Sequence, residues 1–544
     1  MNHQIKFLIA VMGTLFFAGG CSNPHKNIPY VSRVWVADNN DGTYKNPVLY
    51  ADYSDPDIIR VGDDYYMTAS SFSCIPGLPI LHSKDLVNWT IIGHALQKYP
   101  DESFSKPQHG KGVWAPSIRY HNNYFYIYWG DPDIGIFMVK SRTPGGTWEN
   151  PLLVLPGKGL IDVCPLWDDD GNAYLVHAWA RSRAGINSLL TVRKMNPEGT
   201  IASPQGVHVF DGREHHPTVE GPKFYKRDGF YYIFAPAGGV KEGWQLVLRS
   251  KNIYGPYEAK VVMDQGTTTV NGPHQGGWVE TPEGQSWFIH FQDIGAYGRV
   301  THLQPVEWIN DWPVMGTDED KDGKGQPVLR FSKPRANGVC PITTPAESDE
   351  FDADSLGLQW QWQANPQQTW YALMRQTGFL RLFAINSPDQ QNNLADVPNV
   401  LLQKFPAPDF TATTKIKLTA NGDGERAGLV IMGSDYASVF ITEKNQQVSV
   451  VQVVCMNALQ NGKEQVVEKQ SVQTDAVSLR VKVSSPDARC QFSYSIDGNR
   501  FVPVGNEFKA KPGKWIGAKV GFFCVSPMNA KAGGYADFDW FRIE

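Results

Sequence analysis

Strands rich in aromatic and aliphatic residues recur at nearly even spacing along the first part of the chain, each directly after a polar turn. The five strands are Tyr65–Thr68, Tyr124–Ile127, Ala173–Val176, Phe230–Ile233 and Ser286–Ile289. A strand-built repeat of roughly 50–60 residues is typical of a β-propeller, in which each repeat forms one blade. The pattern therefore predicts a five-bladed β-propeller over residues 45–335. A further strand-like stretch, Val300–Pro305, is expected to close the ring.

The pattern changes after a Pro- and Gly-containing linker at residues 336–345. Residues 346–544 contain short strands in which apolar and polar positions alternate, as in Leu479, Val481 and Val483 with polar residues between them. This alternation marks half-buried strands, and no long amphipathic helix interrupts them. We therefore predict an all-β chain, with the five-bladed propeller followed by a lectin-like β-sandwich.

Three carboxylates share one position in the repeat. Asp55, Asp162 and Glu220 each stand seven residues before the turn of their blade, and Trp114 holds the same position in blade two. Equal offsets in equivalent blades place residues at one height around the central axis, so the three acids should converge at one mouth of the ring. The matching residue of blade five is Gly276.

Paired carboxylates beside an aromatic wall are suited to cleaving a glycosidic bond. One acid protonates the departing oxygen, while a carboxylate activates water or attacks the sugar. Crowding raises the pKa of at least one acid. By contrast, Asp168, Asp169, Asp170 and Asp228 are interpreted as turn residues, and Asp57 as a local hydrogen-bonding partner.

The amino-acid composition disfavours some classes of binding partner and favours others. A net charge of −5 gives no basic surface for nucleic acid, and the 17 Trp residues suit stacking on sugar rings. Six cysteines follow Cys21, and none forms a CxxC pair, so a thiolate metal site is disfavoured. Disulfides and buried free thiols both remain open.

The N-terminal residues predict a secretory signal. Residues 6–20 form a short apolar run that ends in small residues before Cys21, and Ala18–Cys21 resembles a bacterial lipobox. We predict a signal peptide over residues 1–20 and a lipid-anchored tether and lead-in over 21–44. The exported protein would then be held at the outer membrane by lipid on Cys21, in the periplasm or at the cell surface. The alternative is simple cleavage, which releases a free enzyme.

At these residues the sequence resembles glycoside hydrolase family 43. The similarity lies in Asp55–Tyr66, Val113–Ser117, Ile161–Asp162 with Asp168–Gly171, and Val219–Pro222; the segment from Asp349 to Phe541 resembles the family's β-xylosidase-type C-terminal sandwich. The resemblance implies inverting hydrolysis of β-D-xylosides and α-L-arabinofuranosides. It makes Asp55 the general base, Glu220 the general acid and Asp162 the third carboxylate. Inversion implies carboxyl groups about 6.5–9.5 Å apart.

The same resemblance suggests further site residues. Trp114 would line the sugar pocket, Arg299 would contact substrate, and His274 would lie near an axial metal ion, often calcium. The chemistry itself would need no cofactor. This chain departs from the family at Val163-Cys164 and at Pro273, so His274 is equally well interpreted as a hydrogen-bonded structural residue, and any calcium would be structural.

The sandwich has two interpretations. It is either an independent glycan-binding module or a domain that packs on the propeller and closes part of the pocket, and we favour the second. The sequence thus predicts an exo-acting inverting glycosidase that releases xylose or arabinose from plant cell-wall polysaccharides or oligosaccharides. Two alternatives are a non-catalytic surface glycan-binding lipoprotein and a retaining fructan hydrolase on a related propeller.

Overall fold

The structure, a computed structural model, describes residues 29–531 and 533–544. The predicted signal peptide and Cys21 lie outside these described residues. The described chain is built almost wholly from strands, as the alternating sequence pattern predicts. It forms a five-bladed β-propeller and a C-terminal β-sandwich, so the predicted fold class is confirmed.

Each blade is a four-stranded antiparallel sheet made of consecutive strands. The first strands of neighbouring blades lie side by side around the central axis. In chain order, the strands are Asp57–Val61, Asp64–Thr68, Gly77–Ser83 and Trp89–Leu96 in blade one; Trp114–His121, Tyr124–Asp131, Gly135–Ser141 and Leu152–Pro156 in blade two; Leu160–Trp167, Ala173–Trp179, Leu189–Met195 and Ala202–Asp211 in blade three; Lys223–Arg227, Phe230–Ala237, Trp244–Ser250 and Glu258–Met263 in blade four; and His274–Glu280, Ser286–Asp293, Arg299–Ile309 and Trp312–Met315 in blade five.

The polar turns of the repeat are tight hairpins between the first two strands of a blade. In blade four, Arg227 pairs with Phe230, and the two loop residues Asp228 and Gly229 have φ of 49° and 77°. Two consecutive residues in the left-handed region match the right-handed twist of the flanking strands, which explains the Asp-Gly signal. Each such turn therefore fixes the register between the first two strands of its blade.

The apolar residues of the propeller pack between blades. Ile118 and Trp129 of blade two pack with Ile80 of blade one, and Phe224 of blade four packs with Val176 of blade three. Similar clusters lie between blades two and three, four and five, and five and one. Each sheet is thus covered on both faces, and no blade has a core of its own.

The ring is closed by a two-stranded sheet in which Thr43–Lys45 pairs with Arg330–Ser332. The Tyr44 hydroxyl and the Asn46 amide both donate to the Leu303 carbonyl, which ties this closure to blade five. The expectation that Val300–Pro305 closes the ring is wrong. That segment is the middle of Arg299–Ile309, the third strand of blade five, because its length and apolar alternation pair it with Ser286–Asp293.

The sandwich consists of two mainly antiparallel sheets that enclose one apolar core. In spatial order, the first sheet contains Gln361–Trp362, Leu401–Lys404, Lys519–Ser526, Arg426–Met432, Tyr436–Lys444, Gln447–Cys455 and Glu464–Ser471, with Ile385–Asn386 parallel to Lys519–Ser526. The second contains Tyr371–Met374, Phe379–Phe383, Tyr535–Ile543, Phe410–Thr419, Ala476–Ser484, Arg489–Ser495 and Val502–Pro503, with Phe508–Lys509 beside Arg489–Ser495.

Helical segments are short. The α-helix is Arg181–Ala184, and the 3₁₀ turns are Glu102–Ser105, Gly295–Tyr297, Leu394–Asp396 and Ala458–Gln460. Within the described ranges, no helix has the length and apolar character needed to cross a membrane. The six cysteines there are all free thiols, five of them buried, which answers the question that the sequence left open.

The two domains meet at a seam in which Asp52 is the central polar residue. Its carboxylate accepts a hydrogen bond from the Arg299 backbone N–H of the propeller and another from the Gly517 N–H of the sandwich, both at 2.9 Å. Asp52 is 3% exposed, so water does not compete for these bonds. The Ala518 N–H adds a bond to the Ala296 carbonyl, which holds the same two loops together.

We expect Asp52→Ala to lower the free energy of unfolding by about 2–4 kcal/mol, because it leaves two buried N–H donors without an acceptor. The change should also raise KM for substrate, since both donors lie beside residues of the pocket described below. Urea unfolding and steady-state kinetics measure the two effects.

Asp409→Ala is the matched control for this variant. Asp409 also accepts from a backbone N–H and a side chain, those of Ser485, but it is exposed. Water replaces the lost acceptor there, so the variant should unfold at nearly the wild-type urea concentration. Equal losses in the two variants would contradict the role assigned to Asp52.

Candidate active site

At or near the start of its first strand, each blade has a residue in the left-handed region of the backbone. These residues are Asp55, Ala115, Asp162, Gly221 and Gln275, with φ of 54°, 36°, 57°, 58° and 40°. In blades two, three and five the strand pairing also shifts register at this point. Such bulges redirect side chains, and they are strained for residues that carry a Cβ. The same local distortion in all five blades thus directs the starts of their first strands toward one point on the axis.

These strand starts surround one pocket of about 490 Å³. Three carboxylates, one arginine, one glutamine and several apolar side chains line it: Asp55, Phe72, Trp114, Ala115, Ile161, Asp162, Glu220, Val240, Gln275, Arg299 and Trp515. The structure therefore brings the three sequence-predicted acids together with Trp114 and Arg299. His274 does not line the pocket and lies behind Glu220.

Asp55 is held by donors on both carboxylate oxygens. The hydroxyls of Ser54 and Ser70 donate to Oδ2 at 2.7 and 2.6 Å, and the Arg299 guanidinium donates to Oδ1 at 3.1 Å. Ser70 in turn accepts from the Ala115 N–H of blade two. A carboxylate that only accepts suits this set of donors. Asp55 thus has a fixed orientation and a charged partner.

Arg299 is fixed as firmly as the acid it contacts. Its backbone N–H donates to Asp52, its Nη1 also donates to Ser54, and its guanidinium lies 4.8 Å from the ring centre of Phe291. The residue is 9% exposed. It therefore presents a positive charge to the pocket without freedom to move away from Asp55.

Asp162 is the most strongly perturbed acid of the pocket. It is 5% exposed, and its Oδ2 accepts from the Gly221 N–H at 2.9 Å. Burial, and after it the negative charges of Glu220 and Asp55, raise the pKa of the Asp162 carboxyl well above its ordinary value. The pocket can therefore retain a proton at a pH at which an ordinary aspartic acid has lost it.

Glu220 is the most accessible of the three carboxylates. Its side chain is 35% exposed, compared with 7% for that of Asp55. One oxygen lies 3.3 Å from Nε2 of His274, whose ring is buried and packs edge-on against Phe291. An accessible carboxyl held on one side by an imidazole can approach a bound molecule and exchange protons with it.

In the part of the chain that the structure describes, no group of three His, Cys, Asp or Glu side chains lies close enough to share an ion at His274. Calcium takes about six to eight oxygen ligands, and the polar contact His274 makes is to Glu220. Among the described residues, one group of three acidic or thiol side chains lies close enough to share an ion: Asp318, Asp320 and Asp322, in the loop after blade five. A metal at His274 stays a prediction, and no chemical step is assigned to one.

An aromatic wall closes the pocket, and part of it comes from the sandwich. Trp515 stands edge-on to Trp114 with ring centres 5.9 Å apart, and Phe72 also packs edge-on against Trp114. Trp114 is held by its indole N–H, which donates to the Gly110 carbonyl. The interpretation in which the sandwich packs on the propeller and closes part of the pocket is confirmed.

Cys164, which departs from the family pattern, and Asp57, which the sequence analysis interprets as a hydrogen-bonding partner, both have structural contacts. Cys164 accepts from the Phe224 N–H and lies 2.8 Å from the Arg119 guanidinium, so it joins blades two, three and four. Asp57 accepts from the Ile118 N–H and from Arg119 at 2.6 Å. Asp57 is therefore a hydrogen-bonding partner, as predicted, although its partners belong to the next blade.

Sequence reasoning missed six residues of the pocket: Phe72, Ala115, Ile161, Val240, Gln275 and Trp515. Gln275 adjoins His274 and lies one residue from the predicted position Gly276, so the repeat nearly identified it. Trp515 comes from the other domain, about 400 residues from Trp114 in sequence, and no local pattern could link the two.

Comparison with known proteins agrees with this architecture. The model of glycosyl hydrolases family 43 matches residues 44–313, and that of the β-xylosidase C-terminal concanavalin A-like domain matches residues 348–544. Over 486 residues, the chain is 39% identical to a protein of Xylanibacter ruminicola, which covers 89% of this chain and 86% of that protein.

Three further similarities span almost the whole chain. A β-xylosidase of Formosa agariphila is 32% identical over 96% of this chain and 94% of its own length. A non-reducing end α-L-arabinofuranosidase, BoGH43B of Bacteroides ovatus, is 30% identical over 93% and 96%. The crystal structure of BlXynB from Bacillus licheniformis superposes with a TM-score of 0.78 at 28% identity, over 92% and 99%. With matches of this extent to both of its domains, the chain belongs to glycoside hydrolase family 43.

Proposed function

We propose that this protein is an exo-acting inverting glycosidase that releases xylose or arabinose from the ends of plant cell-wall polysaccharides or oligosaccharides. The observation that carries the proposal is the set of three carboxylates in one aromatic-walled pocket, each in a different environment. The relatives named as a β-xylosidase and an α-L-arabinofuranosidase support the two sugars.

The accessible Glu220 is assigned the role of general acid. It would give a proton to the glycosidic oxygen as the bond from that oxygen to the anomeric carbon breaks. Its exposure and its contact with His274 support this role. The leaving sugar then departs as a neutral alcohol.

Asp55 is assigned the role of general base. Fixed by Arg299 and two serine hydroxyls, it would take a proton from a water molecule, whose oxygen bonds to the anomeric carbon on the face opposite to the leaving group. Attack from that face inverts the anomeric configuration. In this scheme Asp162 contacts neither the glycosidic oxygen nor the oxygen of the attacking water. It is a positioning residue that acts on the acid Glu220 through its electrostatic effect on Glu220 and Asp55.

The closed shape of the pocket favours action on chain ends. Trp515 of the sandwich lies edge-on to Trp114, so the sandwich supplies part of the pocket wall. A site closed in this way admits a terminal sugar more readily than the middle of a chain. We expect the choice between xylose and arabinose to depend on the segments Ser73–Pro79 and Ala180–Ile186.

Export and lipid anchoring through Cys21 remain part of the proposal and rest on the sequence of residues 6–21 alone. Expression of the full chain in a Gram-negative host should give protein in the membrane fraction, and Cys21→Ser should move it to the soluble fraction. Membrane association that survives the substitution would contradict lipidation at that residue.

The decisive experiment uses the 4-nitrophenyl glycosides of β-D-xylopyranose and α-L-arabinofuranose. We expect hydrolysis of at least one, a loss of about 10²–10⁴-fold in Asp55→Asn, and a first product of inverted configuration by NMR. Retained configuration would favour the fructan hydrolase alternative. Binding of xylan oligosaccharides without hydrolysis would favour the glycan-binding lipoprotein.

Glu220→Gln should separate substrates by leaving group. Release of 4-nitrophenol needs little protonation, so its rate should stay near that of the wild type, while hydrolysis of xylobiose or arabinobiose should fall by about 10²–10⁴-fold. The measurement is kcat/KM on both substrates. Glu258→Gln, which alters a surface pair with Arg249 in the same blade, serves as control. Equal loss on both substrates would contradict the acid role.

Asp162→Asn should stabilise the protein while it impairs activity. In the folded state the pKa of Asp162 lies above its ordinary value near 3.8. The free energy of unfolding of the wild type therefore falls as the pH rises from the ordinary pKa to the raised one. The amide does not titrate and still accepts from Gly221. We expect Tm to rise by about 2–4 °C at neutral pH, with a gain that shrinks toward about pH 4.

Asp57→Asn is the matched comparison for Asp162→Asn. Its carboxylate is also buried beside the axis, but it is paired with Arg119 at 2.6 Å. Breaking that pair should lower Tm at neutral pH, opposite in sign to Asp162→Asn. A lowered Tm for Asp162→Asn, or a gain that does not vary with pH, would contradict the analysis of Asp162.

A further inference from the structure

Gln275 occupies the blade-five counterpart of the catalytic carboxylates. It has φ of 40°, and the pairing between the first two strands of blade five shifts register between His274 and Gly276. The residue between them is therefore the bulged one, and its side chain lines the pocket. Equal spacing in the sequence had pointed to Gly276, one position away. Blade five thus contributes a primary amide where blades one and three contribute acids.

The amide of Gln275 has an unused hydrogen-bonding group. The residue is 3% exposed, and its Nε2 has no hydrogen-bond partner among the described residues. Other glutamines of blade five are paired: Gln292 donates to Asn271 and Thr269, and Gln304 accepts from the Val328 N–H. Burying an amide donor without an acceptor is unfavourable, and native proteins rarely do so without a functional reason.

The same amide lies against the segment that carries the proposed acid. A Cβ on Gly221 would come within 2.6 Å of the Gln275 side-chain carbonyl carbon and 3.0 Å of Nε2. Gly221 has φ of 58° and follows Glu220 directly, so only glycine leaves room for the amide at this point. Gln275 is therefore packed beside the residue that must meet the glycosidic oxygen.

We propose that Gln275 is a substrate-binding residue whose amide forms a hydrogen bond with one hydroxyl of the sugar held in the pocket. This inference rests on the proposed glycosidase function and goes beyond it by naming the contact that selects for that hydroxyl. A buried amide that pairs with a sugar hydroxyl disfavours analogues that lack this hydroxyl, because the amide then loses its partner. Gln275 thus acts in specificity, while the three carboxylates act in bond cleavage.

The test uses Gln275→Met, which keeps the length of the side chain and fills the same space without an amide. The wild-type protein is first assayed on the better of the two 4-nitrophenyl glycosides, and this result alone decides the glycosidase proposal. Wild type and variant are then compared on that glycoside and on its monodeoxy analogues, each lacking one ring hydroxyl. Failure of the function and failure of the Gln275 assignment are thus separate results.

We expect Gln275→Met to lower kcat/KM on the parent glycoside by about 10-fold, the size of one hydrogen bond to a neutral group. For one deoxy analogue the variant and the wild type should have nearly equal kcat/KM, because that analogue already lacks the hydroxyl that pairs with Gln275. For the other analogues the difference of about 10-fold should persist. Such non-additivity for a single hydroxyl identifies a direct contact.

Gln245→Met is the matched control. Gln245 lies in blade four, is 1% exposed and also has an unpartnered amide atom, but it does not line the pocket. Its variant should keep wild-type kcat/KM on every substrate. An equal loss in Gln275→Met on the parent and all deoxy analogues, or no loss on any, would overturn the proposal. Circular dichroism and thermal melts establish that both variants are folded.

Discussion

A single backbone constraint organises the site: each blade has a residue in the left-handed region within about two residues of the start of its first strand. Residues with a Cβ avoid this conformation, so it persists only where the surrounding sheet enforces it. Asp55 and Asp162 themselves adopt it, and Glu220 directly precedes a glycine that does. Because the blades repeat the distortion around one axis, side chains separated by more than 100 residues meet in one pocket. The propeller thus supplies geometry, and the sequence of each blade supplies a different chemical group.

Much of this arrangement was predictable because it depends on local signals. Tight polar turns fix the hairpins, and a constant distance from turn to strand start placed Asp55, Asp162 and Glu220 at equivalent positions. The bulges were not predictable, since one extra residue leaves the pattern of apolar residues almost unchanged; this is why blade five presents Gln275 and not Gly276. The strand Arg299–Ile309 was misassigned for a related reason: its alternation fits either a blade strand or a closing strand, and only tertiary pairing distinguishes them.

Contacts between the two domains were beyond the reach of sequence patterns. Trp515 and Asp52 carry no motif, and their importance follows from the packing of the sandwich against one mouth of the ring. Asp52 holds the Arg299 and Gly517 loops by their backbones, so the arginine beside the proposed base and the tryptophan of the pocket wall depend on one buried carboxylate. The catalytic pocket is therefore a product of both domains, although all three of its acids belong to one.

The placement of apolar clusters between blades has a consequence for biosynthesis. A nascent chain that has emerged as far as blade three exposes one apolar face of that blade, because the blade that covers this face has not yet been translated. The last contact of the ring, between Thr43–Lys45 and Arg330–Ser332, forms only after nearly 300 intervening residues have left the ribosome. Until then the incomplete ring has exposed apolar edges that are prone to aggregation. The two ends of the propeller also lie side by side, so a circularly permuted gene that opens the ring at a different blade boundary would preserve every interblade contact.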